Sequence, residues 1–124
     1  MSRQRNNPEQ DRQTENEIEL RLLARLQEKP DVSQRCLAAD LGVSLGSINF
    51  CLKALTAKGF VKAENFSKSN NKLGYAYLLT PSGIAAKSRL TASFLKRKRA
   101  EYRRLAHEIA DLEAQMRQDR EERK

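Results

Sequence analysis

Apolar residues recur along this chain in blocks with different periods. Ile18, Leu22, Leu23 and Leu26 form a stripe spaced three and four apart, preceded by Thr14 with Glu17 three residues on and followed by Pro30. The Thr14–Glu17 spacing is that of a capping box, and a proline cannot continue a helix, so the pattern predicts a helix beginning at Thr14 and closed before Pro30. A second stripe, Leu37 and Leu41, lies between Ser33 and Gly42 and predicts a short helix from Gln34 to Leu41. A third, Ile48, Leu52 and Leu55, follows Ser44 as N-cap and ends at Lys58 and Gly59. Two helices joined by the tight turn Gly42-Val43-Ser44, with Ala38, Ile48 and Cys51 where small or apolar contacts are needed, have the form of a helix-turn-helix.

Beyond Gly59 the period changes. Phe60 to Glu64 and Tyr75 to Leu79 are aromatic and aliphatic runs suited to strands, and SKSNNK between them contains Asn70 and Asn71, which tolerate turn dihedrals. A hairpin with a basic tip is expected, and a helix-turn-helix followed by a hairpin is a winged helix. Thr80 and Pro81 then open a last helix with no stop signal after Gly83. Along it Ile84, Ser88, Thr91, Leu95, Lys98, Tyr102, Leu105, Ile109, Leu112 and Met116 alternate at four and three, a heptad seam that is polar early and apolar from Tyr102. Leu90 and Phe94 lie off it and are expected to pack on the winged domain. The seam assigns Leu95, Tyr102, Leu105, Ile109, Leu112 and Met116 to homodimerisation, with the direction of pairing left open; a tail folded back on its own domain is the alternative.

The expected fold is therefore mainly α with a small β-hairpin (α+β): a disordered, polar leader over residues 1–13, a winged helix-turn-helix domain over 14–80, and a long C-terminal coiled-coil dimerisation helix over 81–124. A chain of 124 residues, 39% of them hydrophobic, has material for one small core. No apolar run approaches the roughly 18 residues of a membrane span, and the leader has no secretory segment, so a cytoplasmic protein without membrane contact is expected.

Charge narrows the choice of partner. The net charge is +8, and it is uneven: residues 14–43 carry four Lys/Arg against six Asp/Glu, whereas residues 44–80 carry five lysines against Glu64. Positive charge on and after the second helix of the pair attracts a polyanion and points to nucleic acid more than to an acidic small molecule, a merely solvated basic face being the alternative. With Ile48, Cys51, Leu52 and Leu55 turned inward, that helix presents Ser44, Gly46, Ser47, Asn49, Phe50 and Lys53. Asn49 can read adenine bidentately, Ser47 can bond a base edge or phosphate, Lys53 suits a phosphate and Gly46 permits close backbone approach. Phe50 either touches a thymine methyl or packs under the wing. Lys68 and Lys72 at the hairpin tip reach phosphate or the minor groove, or only solubilise the tip. The basic run at 96–99 faces every side of its helix and reads as a solvated collar. Cys36 and Cys51 read as small hydrophobes; with the single His107 they fit no metal-ligand spacing, so no metal and no cofactor are expected. No nucleophile-base pair or glycine-rich phosphate loop can be assembled, so no catalysis is expected. A protein-docking module with a coiled-coil tail is the alternative reading.

LAADLGVSLGSINFCLKALTAKGFVKAE from Leu37 and LTPSG at 79–83 resemble the helix-turn-helix and wing end of MarR-type bacterial transcription regulators. NFCLKAL, NKLGYAYLLTP and FLKRK are similar to phrases of the short MarR-like regulators associated with exopolysaccharide (EPS) gene clusters, and the likeness spans Leu20 to about Tyr102. The resemblance implies a dimeric transcription regulator that binds a duplex promoter sequence-specifically, near polysaccharide biosynthesis genes. Two departures accompany it. Typical wings carry Asp-x-Arg where this chain has only lysines, and typical members build their dimer and a phenolic-ligand pocket with a longer N-terminal helix. The ligand pocket is therefore not carried over, and any effector is left open.

Overall fold

A computed structural model describes residues 7–65 and 75–123. Its elements follow the order α1 (Pro8–Glu28), α2 (Gln34–Leu41), α3 (Leu45–Ala57), β1 (Val61–Asn65), β2 (Tyr75–Leu79) and α4 (Pro81–Glu122). The chain divides into two compact units, Met1–Thr91 and Ala92–Lys124.

The first helix corrects the expected start and the expected leader. It begins at Pro8, not Thr14, because Asn7 caps it: the Asn7 side chain accepts from the Glu9 N–H at 3.1 Å, Pro8 takes the first helical position, and Glu9 and Asp11 stand where the helix dipole favours acids. Thr14 is interior, and its hydroxyl donates to the Gln10 carbonyl at 3.0 Å. Residues 8–16 are exposed throughout, so this part of the helix is sustained by capping and propensity rather than packing. Residues 1–6 of the expected leader lie outside the described residues.

The helix-turn-helix follows the sequence pattern residue for residue at its caps. Ser33 accepts from the Cys36 N–H at 3.1 Å, Ser44 from the Ser47 N–H at 3.1 Å, and Gly42 adopts the left-handed conformation at φ 69°. Gly59 does the same at φ 77° after α3. Among the described residues these two have the left-handed backbone that strains any residue with a Cβ. The core is a single cluster: Leu22, Leu23 and Leu26 of α1, Leu37 and Leu41 of α2, Ile48, Leu52 and Leu55 of α3, and Val61 of β1. Each of the fully buried leucines and Ile48 contributes about 1.5–3 kcal/mol by leaving water, which is what holds three short helices at fixed angles. Cys51 packs partly buried against this core as expected, whereas Cys36 is exposed and does not act as a buried hydrophobe.

The hairpin is antiparallel and pairs Val61 with Leu79 through Asn65 with Tyr75. Its first strand starts one residue later than the apolar run suggests. The Phe60 N–H closes the end of α3 on the Leu55 carbonyl and its carbonyl accepts from the Thr80 N–H, so Phe60 is committed before the ladder begins. The expected turn SKSNNK, with Lys68 and Lys72, lies outside the described residues. The boundary between units falls at Thr91, inside α4, rather than at residue 80. Gly83 and Ala86 are buried and Leu90 packs against the core, so the first turns of α4 complete the winged unit. The second unit is helix alone. Phe94, half-buried, carries the Arg97 guanidinium at 5.5 Å and the Lys98 ammonium at 5.2 Å from its ring centre.

Candidate nucleic-acid interface

α3 has one buried and one open face. Ile48, Leu52 and Leu55 are at most 2% exposed, and this places Ser44, Gly46, Ser47, Asn49, Phe50 and Lys53 on the accessible side, where all six are exposed. The serines at its start are ordered relative to one another: the Ser44 hydroxyl donates to the Ser47 hydroxyl oxygen at 2.9 Å while accepting from the Ser47 N–H. A capped N-terminus with small residues around it leaves room for a close approach, and the helix dipole there favours an anion.

Among the described residues Phe50 borders α1 and not the wing strands. It is 73% exposed and turned toward α1, where it lines a groove of about 580 Å³ with Glu15, Ile18 and Glu19. Asn49 and Lys53 lie on the other flank, bordering an open depression of about 360 Å³ that Tyr77 of β2 also lines. The open face thus has an edge beside α1 where Phe50 and Ile18 sit among the carboxylates of Glu15 and Glu19, and a polar edge beside the wing strand. Lys68 and Lys72 lie outside the described residues.

Ion pairs reduce the positive charge counted from the sequence. Lys58 bonds Glu19 at 2.6 Å and Lys62 bonds Glu64 at 3.4 Å, whereas Lys53 stands in no ion pair among the described residues. A neutralised lysine adds little to the field felt by a polyanion, so Lys53 is the cation of α3 best placed to meet one. Glu19 and Glu15 also bear on Cys51: burial first, then these two carboxylates, push its thiol above the usual cysteine value, and Lys58 opposes them. A protonated thiol is a poor nucleophile. At pH 8, iodoacetamide is expected to label exposed Cys36 well before Cys51, as peptide mapping over a time course would show; equal rates would contradict the burial of Cys51.

Several positioning residues carried no signal in the sequence. Arg21 donates to the carbonyls of Leu41 at 3.3 Å and Asp40 at 3.4 Å, tying α1 to the end of α2 just before the turn. The Gln34 amide donates to the Tyr77 hydroxyl at 3.2 Å, and the Tyr77 N–H donates to the Pro30 carbonyl at 2.9 Å, so the wing's second strand is fastened to the start of α2. Partners 20 and 43 residues apart leave no periodicity to read. Among the described residues no group of His, Cys, Asp and Glu is arranged to hold a metal, and no single helix is long and apolar enough to cross a membrane.

Three helices, a three-residue turn opened by the left-handed Gly42 and an antiparallel hairpin returning to a capped helix define the architecture. The chain carries a winged helix-turn-helix domain. Residues 15–62 match the family model described as winged helix-turn-helix DNA-binding. Among solved structures, the chain is similar to a MarR/EmrR family transcriptional regulator from Acinetobacter sp. ADP1, with 21% identity, TM-score 0.56, and coverage of 66% of this chain and 56% of that one. It is similar to Lactococcus lactis ZitR with 18% identity and TM-score 0.56, covering 73% and 60% of the two chains. It also resembles an S. aureus MepR mutant bound to an oligodeoxyribonucleotide, with 20% identity, TM-score 0.55, and 69% and 60% coverage. At such identities the likeness is one of fold, and this chain spans little more than half the length of the first of these neighbours. Comparison with curated proteins returned no match.

Proposed function

We propose that this protein is a MarR-type transcription regulator that binds duplex DNA sequence-specifically as a homodimer. The observation that carries the reading is the open face of α3: Ser44, Gly46, Ser47, Asn49, Phe50 and Lys53 are all accessible on a helix whose other side is locked into the core. The match of residues 15–62 to a DNA-binding winged-helix model supports the same use. In this reading α3 enters the major groove, Asn49 and Ser47 meet base edges, and Gly46 admits the backbone. Phe50 contacts a thymine methyl from the α1 edge, and Lys53 holds a phosphate. Lys68 and Lys72 are assigned by sequence to phosphate or minor-groove contact.

Leu95, Tyr102, Leu105, Ile109, Leu112 and Met116 support the dimer: each is about half exposed or more in the single chain, which is an unfavourable way to leave an apolar heptad face. Two copies read a near-palindrome with half-sites about 10 base pairs apart or a multiple of that. The likeness of NFCLKAL and NKLGYAYLLTP to EPS-associated regulators extends the proposal to promoters of polysaccharide biosynthesis genes, and hence to the cytoplasm.

Selecting bound duplexes from a random pool tests the reading directly. Enrichment of a two-fold symmetric site is expected; a pool that stays random, with no salt dependence of binding, would instead leave a protein-docking module. Two substitutions separate the roles on α3. Asn49→Ala is expected to lose about 1–3 kcal/mol of discrimination at one base pair per half-site. Lys53→Ala is expected to weaken all sequences alike and to flatten the slope of log affinity against log salt by about one unit per subunit. Competition electrophoresis at several salt concentrations reads both, and an Asn49→Ala protein with unaltered preference would remove Asn49 as a reader.

A further inference from the structure

Charge along the second unit is segregated. Residues 96–104 hold six Lys/Arg against Glu101, whereas residues 108–122 hold six Asp/Glu against Arg117 and Arg120; only the last two residues, Arg123 and Lys124, are basic again. The apolar seam runs through both halves on one face. Its partner must therefore cover a stripe whose flanks are positive at one end and negative at the other. A second copy can do this in one direction only.

From this we infer that the C-terminal helices of two copies pair antiparallel, an inference that rests on the homodimer proposed above and adds its direction. In a parallel pair equal residues share a layer. Lys98 would then meet its own copy within the seam, Asp119 would do likewise, and Glu108 would flank Glu113 of the other helix, all like charges. Reversing one helix about its midpoint removes most of these contacts. With Leu105 of each copy opposite Ile109 of the other, Lys98 lies opposite Met116 and one layer from Asp119, and Arg99 flanks Glu113 twice by symmetry. One like-charge contact, Glu108 beside its own copy, remains at the centre. Lys98 reaches Glu101 at 3.2 Å in the single chain, while Arg99 and Glu113 are exposed and make no ion pair among the described residues, so both are available across the pair. Antiparallel alignment also separates the two chains where they enter: residue 93 of one copy lies level with residue 121 of the other, about 42 Å along the axis at 1.5 Å per residue.

The full-length protein tests this in two ways. Arg99→Glu and Glu113→Lys are each expected to raise the dimer dissociation constant in sedimentation equilibrium about tenfold, because each turns two attractions into repulsions, and the double variant is expected to return to within about threefold of the parent. A nitroxide on Ser93→Cys, in a Cys36→Ser, Cys51→Ala background, is expected to give an electron-electron distance of about 40 Å or more. A double variant no tighter than the weaker single one, or a distance near 20 Å, would overturn the antiparallel direction while leaving the homodimer intact. A parent protein that stays monomeric at about 100 μM would overturn the homodimer itself, and the direction with it.

Discussion

Ile109→Glu is expected to abolish the proposed homodimer without unfolding the protein. Ile109 sits at the middle of the seam and is 53% exposed in the single chain, so the winged core loses nothing when it changes. In a dimer the same position is covered by the other copy, and the substitution places one carboxylate from each chain in an apolar layer. Burying an unpaired charge costs several kcal/mol, and the two-fold axis doubles it. A rise in the dimer dissociation constant of at least about a thousandfold follows, which corresponds to about 4 kcal/mol. Affinity for a palindromic site should fall about a hundredfold as two linked half-site contacts become independent ones. Binding to an isolated half-site should not change. Light scattering, circular dichroism and electrophoresis on full and half sites read the three effects. A variant that remains a dimer would show that some other surface joins the subunits.

Gly83→Val should unfold the winged unit at a much lower temperature. Thr80 caps α4 by accepting from the Gly83 N–H at 3.1 Å, and its own hydroxyl donates to the Gly59 carbonyl at 2.5 Å. These bonds press the first turn of α4 onto the backbone of Phe60. A Cβ at Gly83 would overlap the Phe60 carbonyl oxygen and stand 2.9 Å from its carbon, against backbone that the Leu55 and Thr80 bonds hold in place. Neither neighbour can yield without moving the end of α3 or the start of α4. A loss of about 3 kcal/mol is expected, or a melting temperature lower by roughly 15 °C for a domain of this size. Gly46→Ala is the contrast, since a Cβ there meets only the Ser44 Oγ at 3.9 Å. It should leave the fold intact or up to about 1 kcal/mol more stable, through helix propensity alone. Equal melting curves for the parent and Gly83→Val would mean that α4 does not press on Phe60.

LTPSG shows how much of this was legible. Thr80 and Pro81 announce a helix start by local chemistry, and the structure places the helix there. The need for glycine two residues later could not be read in the same way, because it comes from Phe60, which is 23 residues earlier in the chain. The same division holds at the candidate interface. Ser44, Ile48, Leu52 and Leu55 fix which side of α3 is open, and each expected contact residue on it is exposed. Phe50 was ambiguous because its position on the helix permits either edge, and α1 and the core decide that it borders Ile18 and Glu19. The charge counted over residues 44–80 overstated the field, because Lys58 finds Glu19 across 39 residues of sequence.

Helix start points show the limits of local rules as well as their reach. Thr14 with Glu17 is a valid capping box, yet Asn7-Pro8-Glu9 supplies an earlier cap that the low apolar content of the leader obscured. Caps, turn glycines and apolar spacing act over a few residues, and within that range the amino-acid order alone determined the caps of the helix-turn-helix and the extent of the hairpin's second strand. Contacts between distant segments depend on which surfaces the core brings together. Tertiary structure alone decided that Arg21 braces the turn, that Gln34 holds the wing and that the unit boundary falls at Thr91 inside α4, because burial and close approach are properties of packed surfaces and not of neighbouring residues.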